Sequence, residues 1–313
     1  MAHSNNHELI VVPLDGSDQA EQVIPYAEAL RGAGGTLMFF QVINPSGPAR
    51  GLFGDIEIKI EDVIAQERDA SKARLHEIAT RWDGVLDKQP LCEAYAGDAA
   101  EAIEAIVTER GATMVAMTSS GRGTLSRWAF GSVADTIMRD APAPTLIIHP
   151  DGNPEPAKIE LKRILVPLDG SEIAEQALPE AARLANNANL PVTLVQVINP
   201  SLEFSMVGQT MAPVSADLYN EVESDFVAQA NEELDKGAKL LGSVPGDVTR
   251  TVLQGATVEA IHHYSEPGDL IVMTSHGRSG VRRFLLGSVA QKIISERVAP
   301  VVLVPAQELE ASS

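Results

Sequence analysis

The sequence predicts an α/β fold made twice: two tandem doubly wound domains, each a parallel sheet flanked by helices. Three observations predict it. The chain has 313 residues, enough for two domains that each bury a core. The segment Val12-Pro13-Leu14-Asp15-Gly16-Ser17 returns as Val166-Pro167-Leu168-Asp169-Gly170-Ser171. A distant second cluster returns in the same order: Thr118 to Arg122 with Gly131-Ser132-Val133-Ala134, then Thr274 to Arg278 with Gly287-Ser288-Val289-Ala290. Two separated motifs repeated in order mean a duplicated domain. Finally, short apolar runs alternate with amphipathic stretches, as strands and helices do in a parallel sheet covered on both faces.

In the first half, Glu8 to Leu14 is an apolar run suited to a buried strand. Asp18 to Leu30 carries helical spacing at Ala20, Val23, Ile24, Ala27 and Leu30, and Gly32 to Gly35 ends it. Thr36 to Ile43 is a second strand. Glu57 to Trp82 reads as a long amphipathic helix with Ile60, Val63, Ile64, Ile78 and Trp82 on one side. Gln89 to Tyr95 is a third strand, Ala99 to Glu109 a helix, Thr113 to Thr118 a fourth strand, Ser132 to Arg139 a helix and Thr145 to His149 a fifth strand. In the second half, strands begin near Arg163, Pro191, Thr249, Asp269 and Pro300. Its helices cover about Ile173–Ala185, Tyr219–Leu241, Val258–Ser265 and Ser288–Glu296. The polar, Pro-rich Asp151 to Ala157 is the linker, giving domains over 1–152 and 153–313. Irregular stretches, Asn44–Asp55 and Asn199–Ala216, follow the second strand of each half and are expected to be exposed loops.

Lys and Arg total 24 against 43 Asp and Glu, a net charge of −19. Such a surface repels phosphate backbones and anionic lipids, so neither nucleic acid nor a membrane is an expected partner. No apolar run approaches the roughly 18 residues of a membrane span, and Met1 to Glu8 lacks a signal-peptide pattern. A single cysteine, Cys92, excludes an intrachain disulfide. These features lead to an expected cytoplasmic location.

In an open parallel sheet, ligands bind beyond the carboxyl ends of the strands, where strand order reverses. If the first and fourth strands are neighbours, Asp15 and Thr118–Gly121 face one crevice, and Asp169 and Thr274–Gly277 face another. The glycines let the backbone approach a ligand. The helix starts at Gly131-Ser132 and Gly287-Ser288 offer free amides to phosphate, and Arg122 or Arg278 adds charge. The Asp carboxylate accepts from a hydroxyl or amine. Phosphate plus hydroxyl recognition points to a nucleotide. A plainer reading stays open for each feature: Asp-Gly-Ser is also an ordinary turn with a helix cap, and Gly-Ser is also a tight strand-to-helix connection with Ser as N-cap.

These residues resemble the universal stress proteins in their tandem two-domain form. The family signature G-x2-G-x9-G-[ST] is matched by Gly121 with Gly131-Ser132 and by Gly277 with Gly287-Ser288. The repeated Gln-Val-Ile-Asn-Pro-Ser at 41–46 and 196–201 agrees. The resemblance covers nearly the whole chain. It implies five strands per domain in the order 3-2-1-4-5, and a pseudo-symmetric pairing of the two halves through their last strands, with a homodimer of chains as a further option. It also implies ATP as ligand, commonly with a divalent cation such as Mg²⁺. Carried onto this chain, the nucleotide meets Pro13, Leu14 and Asp15, with Val42 on the adenine. Thr118, Gly121, Arg122, Gly131, Ser132 and Val133 then hold ribose and phosphates. The matching residues of the second half are Pro167, Leu168, Asp169, Val197, Thr274, His276, Gly277, Arg278, Gly287, Ser288 and Val289.

Thr118 and Thr274 replace the signature's first Gly in both halves. The first half has Ser120 and Thr124 where the second has His276 and Gly280, so the second is expected to bind ATP more tightly. The expected function is an ATP-binding stress-response protein with no catalytic or resident metal-binding residues. A slow ATP phosphohydrolase and a nucleotide-free interaction module are the alternatives. His276 reads as a ligand contact, Cys92 as inert, and Trp82 and Trp128 as packing residues; His262-His263, adjacent at a helix end, do not share a helix face and so do not read as a two-His metal site.

Overall fold

A computed structural model describes residues 8–43, 60–119, 130–150, 157–199, 216–276 and 286–307. The chain divides into two compact units, Met1–Ile159 and Glu160–Ser313.

The first unit runs β1 (Leu9–Pro13), α1 (Asp18–Glu21), α2 (Ile24–Leu30), β2 (Thr36–Ile43), α3 (Ile60–Arg81), β3 (Leu91–Ala96), α4 (Ala99–Arg110), β4 (Met114–Thr118), α5 (Ser132–Asp140) and β5 (Thr145–Ile148). All its strand pairs are parallel, in the order β3-β2-β1-β4-β5. The second unit runs β6 (Arg163–Leu168), α6 (Glu172–Glu175), α7 (Leu178–Ala188), β7 (Val192–Ile198), α8 (Ala216–Leu241), β8 (Thr249–Gln254), α9 (Thr257–Tyr264), β9 (Asp269–Thr274), α10 (Ser288–Ser295) and β10 (Val301–Val304). Its order, β8-β7-β6-β9-β10, is that of the first unit and is again all parallel. The α/β class and the order 3-2-1-4-5 are thus those expected.

The core lies where helices cover both sheet faces. Every residue of β4 and β9 is buried, while β3 and β8, at one end of each sheet, are largely half-exposed. Register sets the site. Val11 lies opposite Val115 and Leu165 opposite Ile271, so the first and fourth strands of each unit are neighbours and their carboxyl ends emerge side by side. The order reverses there, because β1 is followed by β2 on one side and meets β4 on the other.

Two expectations are corrected. The single helix expected over Asp18–Leu30 is two, α1 and α2, broken at Gln22-Val23. Pro25 lies in the first turn of α2. In a continuous helix its ring would strike the carbonyl of Glu21, where α1 ends. Pro179 does the same to Glu175, splitting the second expected helix into α6 and α7. Nor does the apolar stripe of α3 bury throughout. Val63 is 40 % exposed, while Leu75, Ile78, Ala79 and Trp82 are buried. The buried apolar positions gather in the last two turns of the helix and just beyond it.

Candidate functional site

Each Asp-Gly-Ser segment folds as a capped turn at the end of a first strand. Asp15 Oδ1 accepts from the Ser17 amide at 2.9 Å and from the Ser17 hydroxyl at 2.5 Å. The same hydroxyl oxygen accepts from the Ala20 amide at 3.2 Å, capping α1. In the second unit, Asp169 Oδ1 accepts from Ser171 N and Oγ at 3.0 and 2.6 Å, and Ser171 Oγ accepts from Ala174 N at 3.2 Å. Gly16 and Gly170 both have φ of 78°, the left-handed region that makes glycine the residue for this turn. The plainer reading of Asp-Gly-Ser is therefore satisfied by one carboxylate oxygen of each Asp.

The fourth strands end in a second shared construction. Ser119 N donates to Ile148 O at 2.8 Å, and Ser275 N to Val304 O at 3.0 Å. The carbonyls of the same serines accept from Gly131 N at 3.0 Å and Gly287 N at 2.7 Å. The following helix is thereby pinned to the strand end. Gly131 and Gly287 are the N-caps of α5 and α10, and neither helix has a side-chain cap. The Ser N-cap of the plainer reading is corrected: Ser132 and Ser288 are one residue too far along, the first residues within the helix. A Cβ on Gly287 would lie 3.0 Å from Ser275 O and 3.4 Å from His276 Cα. This glycine is needed for the helix to approach the strand, a requirement distinct from ligand access.

Around His276 the second unit is tightly tied. The Thr274 hydroxyl donates to the His276 carbonyl at 2.5 Å, which fixes the loop and occupies the hydroxyl's only proton. Ser275 Oγ lies 3.0 Å from His276 Nδ1. Nε2 of the same ring is shut off from solvent and has no hydrogen-bond partner among the described residues. In the first unit the corresponding Ser119 Oγ instead meets Nδ1 of His149, 30 residues away, at 2.7 Å.

These pieces surround a cavity of about 260 Å³ in the second unit, near the lower end of ordinary ligand pockets at about 300–1,000 Å³. Pro167, Leu168 and Asp169 line it from β6, Thr274 and His276 from β9 and its loop, and Gly287, Ser288 and Val289 from α10. Val197 is not in its lining, and Gly277 and Arg278 lie outside the described residues. The sequence reading missed Ala174, Thr257, Met273, Ser275 and Ala290, which also line it. Ser275 and Ala290 lie inside the repeated motifs and Met273 adjoins one, so these three had a signal that reveals them, while Ala174 and Thr257 had none. In the first unit, Leu14 and Thr118 are buried at the strand ends, Asp15 is exposed, Pro13 and Val42 are half-buried, and Gly131, Ser132 and Val133 open α5. Gly121 and Arg122 lie outside the described residues.

The two units differ at the helix after the third strand. In α4, Asp98 is the N-cap, and its carboxylate accepts from Ala100 N at 2.9 Å and Glu101 N at 3.2 Å. In α9 the N-cap is Ala256, with no side chain to do this, and the first helical residue, Thr257, lines the cavity. Asp169 and His276 are the only titratable side chains among the described lining residues. The arrangement presents backbone amides at a helix start to an anion, and a carboxylate to a hydroxyl or amine.

The family model described as "Universal stress protein family" matches residues 7–149 and again 160–305. A universal stress protein of Mycobacterium tuberculosis, Rv2005c, is 32 % identical over 203 residues, 61 % of this chain and 61 % of that protein. The alignment thus spans about three-fifths of that relative's length. Universal stress protein MJ0531 of Methanocaldococcus jannaschii is 28 % identical over 145 residues, 46 % of this chain and 81 % of that protein. Among solved structures, a universal stress protein from Archaeoglobus fulgidus superposes with a TM-score of 0.60 at 17 % identity, covering 96 % of this chain and 99 % of that one, a likeness of fold. Two family domains in sequence, each with the same strand order and the same pinned strand-to-helix turn, place the chain in the universal stress protein family, in its tandem two-domain form.

Proposed function

We propose that the chain is a cytoplasmic ATP-binding stress-response protein, with the cavity of the second unit as its better nucleotide site. The observation that supports this most is convergence: Asp169, the uncapped start of α10 at Gly287-Ser288-Val289, and His276 border one cavity. Free helix-start amides favour phosphate oxygens, and a carboxylate suits ribose hydroxyls. Pro167 and Leu168 supply an apolar wall. The residues present fit a nucleotide in this sense. When bound, Mg²⁺ would neutralise part of the phosphate charge. It would arrive with the phosphates rather than sit in a protein cage, since the described residues contain no cluster of three His, Cys, Asp or Glu suited to a metal.

The first unit carries Asp15, Thr118, Gly131, Ser132 and Val133 at corresponding positions and is proposed as the weaker site. Its Asp98 carboxylate adds negative charge at a helix start where the second unit has Ala256. The proposed activity is binding rather than hydrolysis: among the described residues the His276 ring is hydrogen-bonded to the Ser275 hydroxyl and to no carboxylate that would orient it as a general base.

The test is ATP titration by calorimetry with Gly277→Ala and Gly121→Ala, beside mass spectrometry of ligand retained through native purification. Gly277→Ala is expected to weaken the tighter site about tenfold, a loss of about 1.4 kcal/mol, and Gly121→Ala to leave that site alone. Unchanged affinity in Gly277→Ala would remove the ranking of the sites. No retained or titratable adenine nucleotide would remove the proposal itself.

A further inference from the structure

We propose that Glu233 is a positioning residue for the second site: from α8 it holds the turn that carries Asp169, and so lets this unit tell nucleotides apart by their ribose hydroxyls. The inference rests on the nucleotide reading above and adds to it a residue that acts through Asp169 rather than on the ligand.

Asp169 is followed by Gly170, whose φ of 78° glycine adopts at little steric cost. The same freedom lets the turn wander unless something outside it fills the space beside Gly170. Glu233 fills it. A Cβ at Gly170 would collide with the Glu233 carboxylate, which therefore stands where a side chain at that position would be. The carboxylate is itself held at both oxygens: Oε2 accepts from Gln196 Nε2 at 2.6 Å, and Oε1 from Gln229 Nε2 at 2.9 Å. Gln196 is 8 % exposed and sits on β7 opposite Leu168 of β6. One turn further along α8, a Cβ at Gly237 would lie 2.9 Å from Leu168 Cδ1, so the helix also bears on the residue before Asp169. In this way α8 grips the end of β6 on either side of Asp169, at Leu168 and at Gly170. Asp169 lines the cavity, and its Oδ1 accepts from Ser171. A carboxylate offers about four acceptor positions, so the direction in which it meets a ligand hydroxyl is set by how the turn is held.

The first unit is built differently at this place. Its buried helix positions Ser71, Leu75 and Ile78 match Ala230, Leu234 and Gly237 in spacing. The same register puts Arg74 where α8 has Glu233, and a full isoleucine side chain where α8 has Gly237. Arg74 is exposed and donates to the Ser71 hydroxyl at 2.8 Å. The charge at this place is therefore reversed between the units. A binding group locked by its neighbours meets its partner in one geometry, and a ligand that lacks the partner is indifferent to the lock. That difference separates a positioning role for Glu233 from general support of the fold.

The experiment is calorimetric titration of the full chain with ATP and with dideoxy-ATP, which lacks both ribose hydroxyls, for the native protein, Glu233→Ala, Glu233→Asp and Glu233→Gln. The native tighter site is expected to prefer ATP by about tenfold or more, the weight of a hydrogen bond to a charged acceptor. In Glu233→Ala the affinity for ATP should fall until the preference is about threefold or less, with dideoxy-ATP bound as by the native protein. Glu233→Asp, shorter by a methylene, withdraws the carboxylate from Gly170 and should lie between; it carries the comparison should the alanine variant fail to fold. Glu233→Gln keeps the reach and an acceptor for Gln196, and should retain most of the preference. An equal loss of affinity for both ligands in the alanine and aspartate variants means general loosening and overturns the inference, as does a preference that neither variant narrows. Equal binding of both ligands by the native protein also overturns it and leaves the nucleotide reading intact. Absence of ATP binding by the native protein overturns both.

Discussion

Glu21 and Asp269 are single buried carboxylates, each held by an arginine and a second N–H donor. Asp269 is 1 % exposed, yet both oxygens accept from Arg163, at 2.8 and 2.9 Å, and one also accepts from the Glu266 amide. The Arg163 guanidinium stacks 4.9 Å over the Tyr264 ring. Glu21 is 3 % exposed and is met by the Trp82 indole N–H at 2.8 Å and by Arg81 at 2.5 Å. Burial pushes its carboxyl above the usual range. The Trp82 hydrogen bond and the Arg81 charge pull the other way, and Asp18 adds to the rise. A folded-state pKa above the unfolded one means that protonation favours the fold: the contribution is fully present below about pH 4.5 and is lost as pH rises through the raised value. Glu21→Gln removes this titration. On acidification from pH 7 to pH 4.5, urea midpoints should shift in favour of the native protein relative to Glu21→Gln, and a shift in the variant's favour would sink the assignment. The chemistry of such residues was hidden in the sequence. Glu21 meets Trp82 across 61 positions and Ser119 meets His149 across 30, and no local pattern announces either pair. The Thr274 hydroxyl was expected near the ligand, but it is spent on its own loop because the His276 carbonyl lies two residues away in a tight turn.

Among the elements, the strand-to-helix junctions decide most. In α10 the helix can approach β9 only because Gly287 has no side chain, the Ser275 carbonyl standing 3.0 Å from where a Cβ would lie. Backbone cannot give way as a flexible side chain can. Gly287→Ala is expected to cost about 1–3 kcal/mol, the usual range for overpacking, read as a lowered urea midpoint with an unchanged slope. A neutral result would show that the junction is looser than its geometry. The junctions were legible as motifs, since Gly-Ser after a strand is a visible signal. Their purpose was only half legible: the same glycine serves packing, which depends on a strand twelve positions upstream, and the helix-start amides, which face the cavity. Helix ends were legible where a residue type dictates them. Pro25 and Pro179 break their helices for a reason printed in the sequence, yet hydrophobic spacing alone ran through both. Thr257 and Ala174 border the cavity from elements that no motif connects to it.

At the scale of the whole molecule, a net charge of −19 opposes compaction by self-repulsion. The exposed ion pairs, such as Arg250–Asp235 at 2.5 Å, do little to offset it. Raising NaCl from about 20 to about 200 mM shortens the screening length to under about 10 Å. Thermal scans over that range should show the midpoint rising by about 2–4 °C, equivalent to roughly 1 kcal/mol for units of this size. A falling midpoint would mean that attractive surface pairs outweigh the net charge. The duplication was the most legible property of all, because it is written in order and spacing rather than in contacts. Both units have the same strand order, the one that the family resemblance implies.

The helix after the third strand begins with an acidic cap, Asp98, in one unit and with Ala256 in the other. In a symmetric pair made from one short chain, any such change is written into both copies at once. Joining the copies end to end removes that constraint. Each half is then free to drift while the ratio of one half to the other stays locked at unity, whatever the level of expression. A cell that makes this chain gains an unequal pair in fixed proportion, with no second gene to regulate.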